Sequence, residues 1–357
     1  MRKNRKILVG ALVCFVVSFL LAPAYAKPIV IKIGHSSEGK MRFPGAGRTA
    51  NVSVMKNYIE SATNGEVVVE VHPLASLGNA RSMLEQAQTG VIQMVGSYTS
   101  IMTPFAPEMA VTQIPFLFKD SLVAWKVMQG PFGDELANVF LKKTGLRVLC
   151  WPEGNGFRNL YTSGKVVKNP SDLKGIKVRV PENPGLLAMF RAFGAKTVTI
   201  TWTELYTALQ TGMADACETE LYSADMVKLF EVMKTVTMTR HGYNLHPIMI
   251  NEKFFQSLSK EHQKVIMRAA ELGETVGNGF CRASEITTVE KLQKEGTKFY
   301  YPNDQELARF KKLGLQPYLD ITKKKIGKDG QKWIDNIYAA VEKAEADIEK
   351  EYQSKAK

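Results

Sequence analysis

The sequence predicts an α/β protein built as two lobes of similar construction. Two observations carry that expectation. Strand, helix and strand patterns follow one another through much of the chain, the layout of α/β layers with mainly parallel sheets. There is also an internal echo. "MLEQAQTGVIQMVGS" and "LYTALQTGMADACET" each read as a helix closed by Gln-Thr-Gly and followed by a strand, with Gly90 and Gly212 at the left-handed position that ends a helix.

In chain order, "KPIVIKIGHSS" opens with a strand at Ile29–Ile33 and a Gly34-led loop. "RTANVSVMKNYIESATNG" sets Val54, Tyr58, Ile59 and Ala62 on a helical stripe, and "EVVVEVHP" is the next strand. Residues 147–163 are expected to carry the chain into the second lobe and residues 235–251 to bring it back. "GQKWIDNIYAAVEKAEADIEKEY" is a long amphipathic helix. Its polar face mixes acids and bases, which suits packing on the body better than a membrane surface.

The first 26 residues read differently. A basic start (Arg2, Lys3, Arg5, Lys6), an apolar run from Ile7 to Leu21 and Ala24-Tyr25-Ala26 make a secretory signal peptide cleaved after Ala26. The formal charge is +12 over the whole chain, and four of the cations lie in this leader, leaving about +8. No run of basic residues interleaved with aromatics appears, so no nucleic-acid partner is expected. A small anionic ligand explains part of the charge. Cys150, Cys217 and Cys281 remain after cleavage; an oxidising compartment would allow a Cys150–Cys217 bridge.

Catalytic signatures (GxSxG, HExxH, Walker, GxGxxG) are missing, and the histidines show no metal-ligand spacing, so no enzyme, cofactor or metal is expected. Positive signals gather where strands end. In "KGIKVRVPENPG", Ile176, Val178 and Val180 alternate with Lys177 and Arg179, the period of a half-buried strand that Pro181 terminates. Arg179 thus takes the last outward position, where it is either solvated, paired with a surface carboxylate, or holding a ligand. "GNGFRNL" places Arg158 beside Gly154 and Gly156. "TVTITWTELYTALQTG" puts Trp202 in the first turn of a helix that Thr201 and Glu204 would cap. "ADACETELYS" runs into Glu218, Thr219 and Tyr222, and His35 sits in the loop after the first strand. Two guanidiniums, an aromatic wall and a hydroxyl suit a carboxylate, which arginine grips through two parallel bonds. The alternative is that Arg158 pairs with a structural glutamate and Trp202 is core.

The same residues carry a family resemblance. "PLASLGNARSMLEQAQTG", "PEMAVTQIPFLFKD", "NGFRNLYTSGKVVKNPSDLKGIKVRVPENP", "ELYTALQTGMADACET" and "INEKFFQSLSKEHQKVI", in this order, resemble the solute-binding proteins of tripartite ATP-independent periplasmic (TRAP) transporters, of the C4-dicarboxylate-binding (DctP) type. The resemblance implies a two-lobed periplasmic binding protein fold, type II-like, with a hinge, a long lobe-spanning helix and C-terminal amphipathic helices. It implies lobe I at 27–150 plus about 246–285, lobe II at 151–245, and a C-terminal helical segment at about 286–357. It implies a periplasmic, monomeric receptor that delivers a small organic acid to a small four-helix and a large many-helix membrane subunit. Arg179 would make the paired salt bridge to the ligand carboxylate and Arg158 a more variable contact. Trp202 would form a wall, with Thr219 and Glu218 beside it. His35, Ser97 and Tyr98 would touch the ligand's distal end. Thr219 and Tyr98 depart from the sialic-acid-binding pattern, which argues against that ligand. A sensor module or a secreted enzyme using Cys217 or a histidine are the competing readings.

Overall fold

The computed structural model describes residues 27–43 and 45–355. The signal-peptide and cleavage-site expectations lie outside the described residues. Two sheets form the frame. Strands β1 (Ile29–Gly34), β2 (Val67–His72), β3 (Met94–Gly96), β4 (Leu146–Cys150) and a late strand, β10 (Ile248–Asn251), make the first, in the order β2-β1-β3-β10-β4. Strands β5 (Glu153–Thr162), β6 (Lys177–Val180), β7 (Lys196–Thr199), β8 (Ala216–Glu220), β9 (Thr235–Leu245) and β11 (Lys298–Tyr300) make the second, in the order β11-β9-β5-β8-β6-β7.

The sheets are mixed rather than mainly parallel, and they are mixed in the same way. Along β2-β1-β3-β10-β4 the pairings run parallel, parallel, antiparallel, antiparallel. Along β7-β6-β8-β5-β9 they run parallel, parallel, antiparallel, antiparallel again. The antiparallel strand in each sheet arrives from the other one, through Trp151-Pro152 or His246-Pro247, and so enters in the reverse direction. β3 and β8, the strands after the two Gln-Thr-Gly sequences, occupy equivalent places, and Gly90 (φ 80°) and Gly212 (φ 71°) are both left-handed. Among the described strands only β11 has no counterpart; it lies within the segment expected to be helical and adds to β9 in parallel.

The elements end where their chemistry dictates. Asn79 accepts the Ser82 N–H and starts the helix Ala80–Thr89. Asn183 does the same for Pro184–Ala192, where Pro184 lacks only a donor that the first turn does not need. Gly47–Ala62 buries Val52, Met55 and Ile59; of the expected stripe Val54, Tyr58, Ile59 and Ala62, Ile59 is buried and the inner face is rotated away from the other three. The helix Lys260–Lys294 is 35 residues long. It crosses Gly47–Ala62 through Gly273 and Gly277, where a Cβ would meet the Asn51 and Gly47 carbonyl oxygens at 2.8 Å. Further along, its Lys291 reaches Asp225, which follows β8, at 2.7 Å. This helix therefore touches both lobes. Asp304–Ile326 packs on the second lobe, with Gly314 against Met189 and Phe193, and Gly330–Lys355 packs on Ser121–Met128 of the first.

Candidate ligand-binding site

The parallel strands β1 and β3 end on the same side of the first sheet, as β6 and β8 do in the second, and residues at these two sets of strand ends line one cleft. Loops at strand C-termini are where α/β sheets hold ligands. Between them lies a cavity of about 240 Å³. Tyr98, Arg158, Arg179, Trp202 and Thr219 all line it. Ser36, Arg81 and Ser100 add polar groups from the first lobe, and Glu182 and Glu220 add carboxylates from the second.

Arg179 does not occupy a solvent-facing position. β6 lies between β7 and β8, both faces are covered, and Arg179 is 3% exposed. The period-two pattern here marks an interior strand whose last residue reaches the cleft. Arg179 Nε and Nη2 both donate to the Ile200 carbonyl, at 2.8 and 2.7 Å. Nη1 makes no hydrogen bond, and no carboxylate pairs with the guanidinium, among the described residues. Burial lowers its pKa to about 10; Glu218 opposes the shift and the Arg158 charge adds to it. It remains a cation at neutral pH, without a counter-ion in contact.

Arg158 stands in the opposite condition. Its Nη2 reaches Glu218 Oε1 at 2.7 Å, its Nε also binds that carboxylate, and its Nη1 reaches Glu220 Oε1 at 2.9 Å. These partners are set by register, since Arg158 pairs with Glu220 across the β5–β8 ladder. Although burial opposes it, the Arg158 charge holds the Glu218 carboxyl down at about 2, with His241 adding a bond at 3.3 Å. Arg158 is thus engaged by structural glutamates, and Glu218 is a buried partner rather than a cavity-lining residue. Asn244 and Thr219 complete the coordination of Glu220, the latter at 3.0 Å.

The remaining expected residues are placed around this centre. Trp202 is half-buried, with one side on the second-lobe core and the other on the cavity. Thr201 bonds Glu204 side chain to side chain at 2.7 Å, without capping the backbone. Tyr222 begins a helix behind the wall and donates to the Glu38 carboxylate at 2.9 Å, joining the two lobes. Ser97 and His35 are fully buried behind Tyr98 and Ser36 and do not line the cavity. Burial, with the Arg48 charge adding, pushes His35 down to about 3. A second bond across the cleft joins Arg81 to Glu182 at 3.0 Å. Sequence reasoning did not single out Glu220, although it lies two residues from Glu218 and hence on the same strand face. Arg81 also pairs with Glu85 one turn on, an ordinary helical pair, and nothing local signals its reach across the cleft, because Glu182 is 101 residues away.

Two similar lobes, chain crossings between them and a charged cavity in the cleft define a two-lobed solute receptor. The chain belongs to the family described as bacterial extracellular solute-binding protein, family 7 (DctP), whose model matches residues 47–325. Among its relatives is the 2,3-diketo-L-gulonate-binding periplasmic protein YiaO of Escherichia coli, 35% identical over 213 residues, spanning 60% of this chain and 64% of that one. A TRAP periplasmic solute binding protein from Desulfovibrio salexigens with bound orotic acid superposes with a TM-score of 0.83 at 26% identity, covering 88% of this chain and 99% of that one. The sugar acid binding protein DctPAm from Advenella mimigardefordensis, in complex with galactonate, gives 0.82 at 26% identity, covering 89% and 99%. Among the described residues, no helix is long and apolar enough to cross a membrane.

Proposed function

We propose that this protein is the periplasmic receptor of a TRAP transporter and holds a small organic acid by a carboxylate bound end-on to Arg179. One observation carries the reading: a buried arginine on the cavity wall that pairs with no carboxylate among the described residues. Its Nε edge is spent on Ile200, so the Nη1–Nη2 edge is left for the two parallel bonds a carboxylate accepts. Trp202 and Ile200 offer an apolar wall to the ligand body, and Thr219, Ser36 and Ser100 offer hydroxyls. The ligands of the three relatives, a diketo-gulonate, orotic acid and galactonate, share a carboxylate and differ in the rest.

Lobe boundaries at the two chain crossings follow from this reading, with 27–150 and about 246–285 on one side and 151–245 on the other. Glu38–Tyr222 and Arg81–Glu182 are then bonds of a closed state. Delivery of the ligand to small and large membrane subunits, by a monomer, completes the proposal. A secreted enzyme is disfavoured because burial pushes the Cys217 thiol up to about 12, against the Arg179 charge, leaving it a poor nucleophile. The three cysteines are free and buried, with no Cys150–Cys217 bridge. A thermal-shift screen of organic acids against neutral sugars tests the proposal. At a hundredfold excess over Kd an acid should stabilise the protein by about 2.7 kcal/mol. A neutral sugar giving the largest shift would refute it.

A further inference from the structure

The cations that line the cavity are matched to protein carboxylates with one exception. Arg158 is held by Glu218 and Glu220, and Arg81 by Glu85 and Glu182. Arg179 has only the Ile200 carbonyl. The lining therefore accepts one ligand carboxylate and has no free cation for another. Glu182, Glu204 and Glu220 line the same space and would repel a second negative charge.

The uncharged polar groups are largely spent as well. Thr219 gives its hydroxyl proton to Glu220 at 3.0 Å. Thr201 bonds Glu204 at 2.7 Å and Thr203 at 3.2 Å. Asn79 Oδ1 is taken by the Ser82 N–H that starts its helix. The hydroxyls still available are those of Ser36, Tyr98, Ser100 and, at the exposed end of β7, Thr199. Much of the remaining wall is carbon: Pro181, Ile200 and Trp202 from the second lobe, Ala75, Ala80 and Ile101 from the first. A sugar acid brings a hydroxyl on nearly every carbon, and a buried hydroxyl that finds no bond costs free energy. An apolar body of the same length gains by leaving water for these walls.

We infer that the solute is a monocarboxylate with an apolar, hydroxyl-poor body, an alkyl or ring acid whose body lies against Ile200, Trp202 and Ile101. Sugar acids and dicarboxylates fall outside this class. The inference rests on the Arg179 reading and adds a selectivity that the carboxylate bond does not supply, since that bond is common to all these acids.

Calorimetry on matched acids tests it. Hexanoate and galactonate share one chain length, without and with hydroxyls. Cyclohexanecarboxylate and quinate share one ring in the same way. Adipate is the hexanoate chain with a carboxylate at both ends. In at least one of the first two pairs the wild type should bind the hydroxyl-free acid about tenfold tighter or more, the discrimination an apolar wall exerts against added hydroxyls. It should also prefer hexanoate to adipate by about tenfold. Ile101→Thr puts a hydroxyl on the wall and should narrow the first preference about threefold, with an unliganded Tm near that of the wild type. Galactonate, quinate or adipate binding as tightly as its apolar counterpart would overturn the inference. So would an Ile101→Thr protein that folds and keeps the full preference. A different acid that outbinds all of these decides by the same rule: an apolar monoacid supports the inference, a polyol acid or diacid overturns it. Arg179→Ala separates the two readings. If it leaves acid binding intact, or if no acid binds the wild type, the receptor proposal falls and this one with it. If binding needs Arg179 but favours the polyol acid or the diacid, only the apolar-body inference falls.

Discussion

Arg179→Ala is the decisive perturbation of the site, and its size can be worked from the geometry. The guanidinium has five N–H groups. One on Nε and one on Nη2 are used by the Ile200 carbonyl, which leaves two on Nη1 and one on Nη2. Those on the outer edge can make a bidentate pair with a carboxylate in a cleft that excludes water. Removing one partner of such a buried pair costs roughly 2–5 kcal/mol, and each 1.4 kcal/mol is about tenfold in affinity. Binding should weaken by roughly thirtyfold at the least. Arg179→Lys should also lose affinity, because a point ammonium cannot reproduce the planar fork. In the unliganded protein, Arg179→Ala leaves the Ile200 carbonyl without its donors, a cost of about 1–3 kcal/mol. Relief of a desolvated charge offsets part of that cost, so the variant should still fold with a modestly lower Tm. Isothermal calorimetry and unliganded melting curves read both effects. Wild-type affinity in Arg179→Ala would refute the reasoning. So would a variant that fails to fold, since the arginine would then hold the lobe and not the ligand.

Other outcomes follow from neighbouring features. Glu218 has its folded pKa depressed to about 2 from an ordinary 4.5. Its pairing with Arg158 therefore contributes stability that is complete above about pH 4.5 and disappears as pH falls toward 2. With about 1.4 kcal/mol lost for each pH step across that window, the contribution is roughly 3 kcal/mol. Melting curves between pH 2 and 5 should lose part of their slope in Glu218→Gln; an unchanged slope would contradict the assignment. Trp202→Ala should weaken binding about tenfold and broaden the range of acids accepted, because a wall is lost. A large fall in Tm with ligand preference intact would place Trp202 in the core. Tyr222→Phe removes a bond between the lobes without touching the cavity, so affinity should fall by about 1–2 kcal/mol with the ranking of ligands unchanged. A changed ranking would mean that Tyr222 meets the ligand.

Much of the fold was legible because its signals are local. Gly90 and Gly212 close their helices with left-handed backbones, and the echo between them correctly foretold two lobes of one design. Strand direction was not legible, since β5 and β10 are antiparallel only because each enters from the other sheet. β11 was hidden for a similar reason: three residues read as a strand only when β9 is already there to pair. At the site, residue types were readable but their partners were not. Arg158 and Arg179 look alike in sequence, and only the β5–β8 register gives one of them two glutamates and the other none.

The position of β10 has a bearing on how the chain acquires its structure. β4 joins the first sheet only through β10, and β3 has β10 as its partner on that side. Until Ile248–Asn251 is available, the first sheet is a three-strand fragment with β3 as an open edge, and β4 is unpaired. β5 to β9, by contrast, form a contiguous run that can pair without waiting for either end of the molecule. A chain emerging from its N-terminus would thus complete most of its later lobe before its earlier one. It would carry an exposed β3 edge in the meantime, a surface open to mispairing.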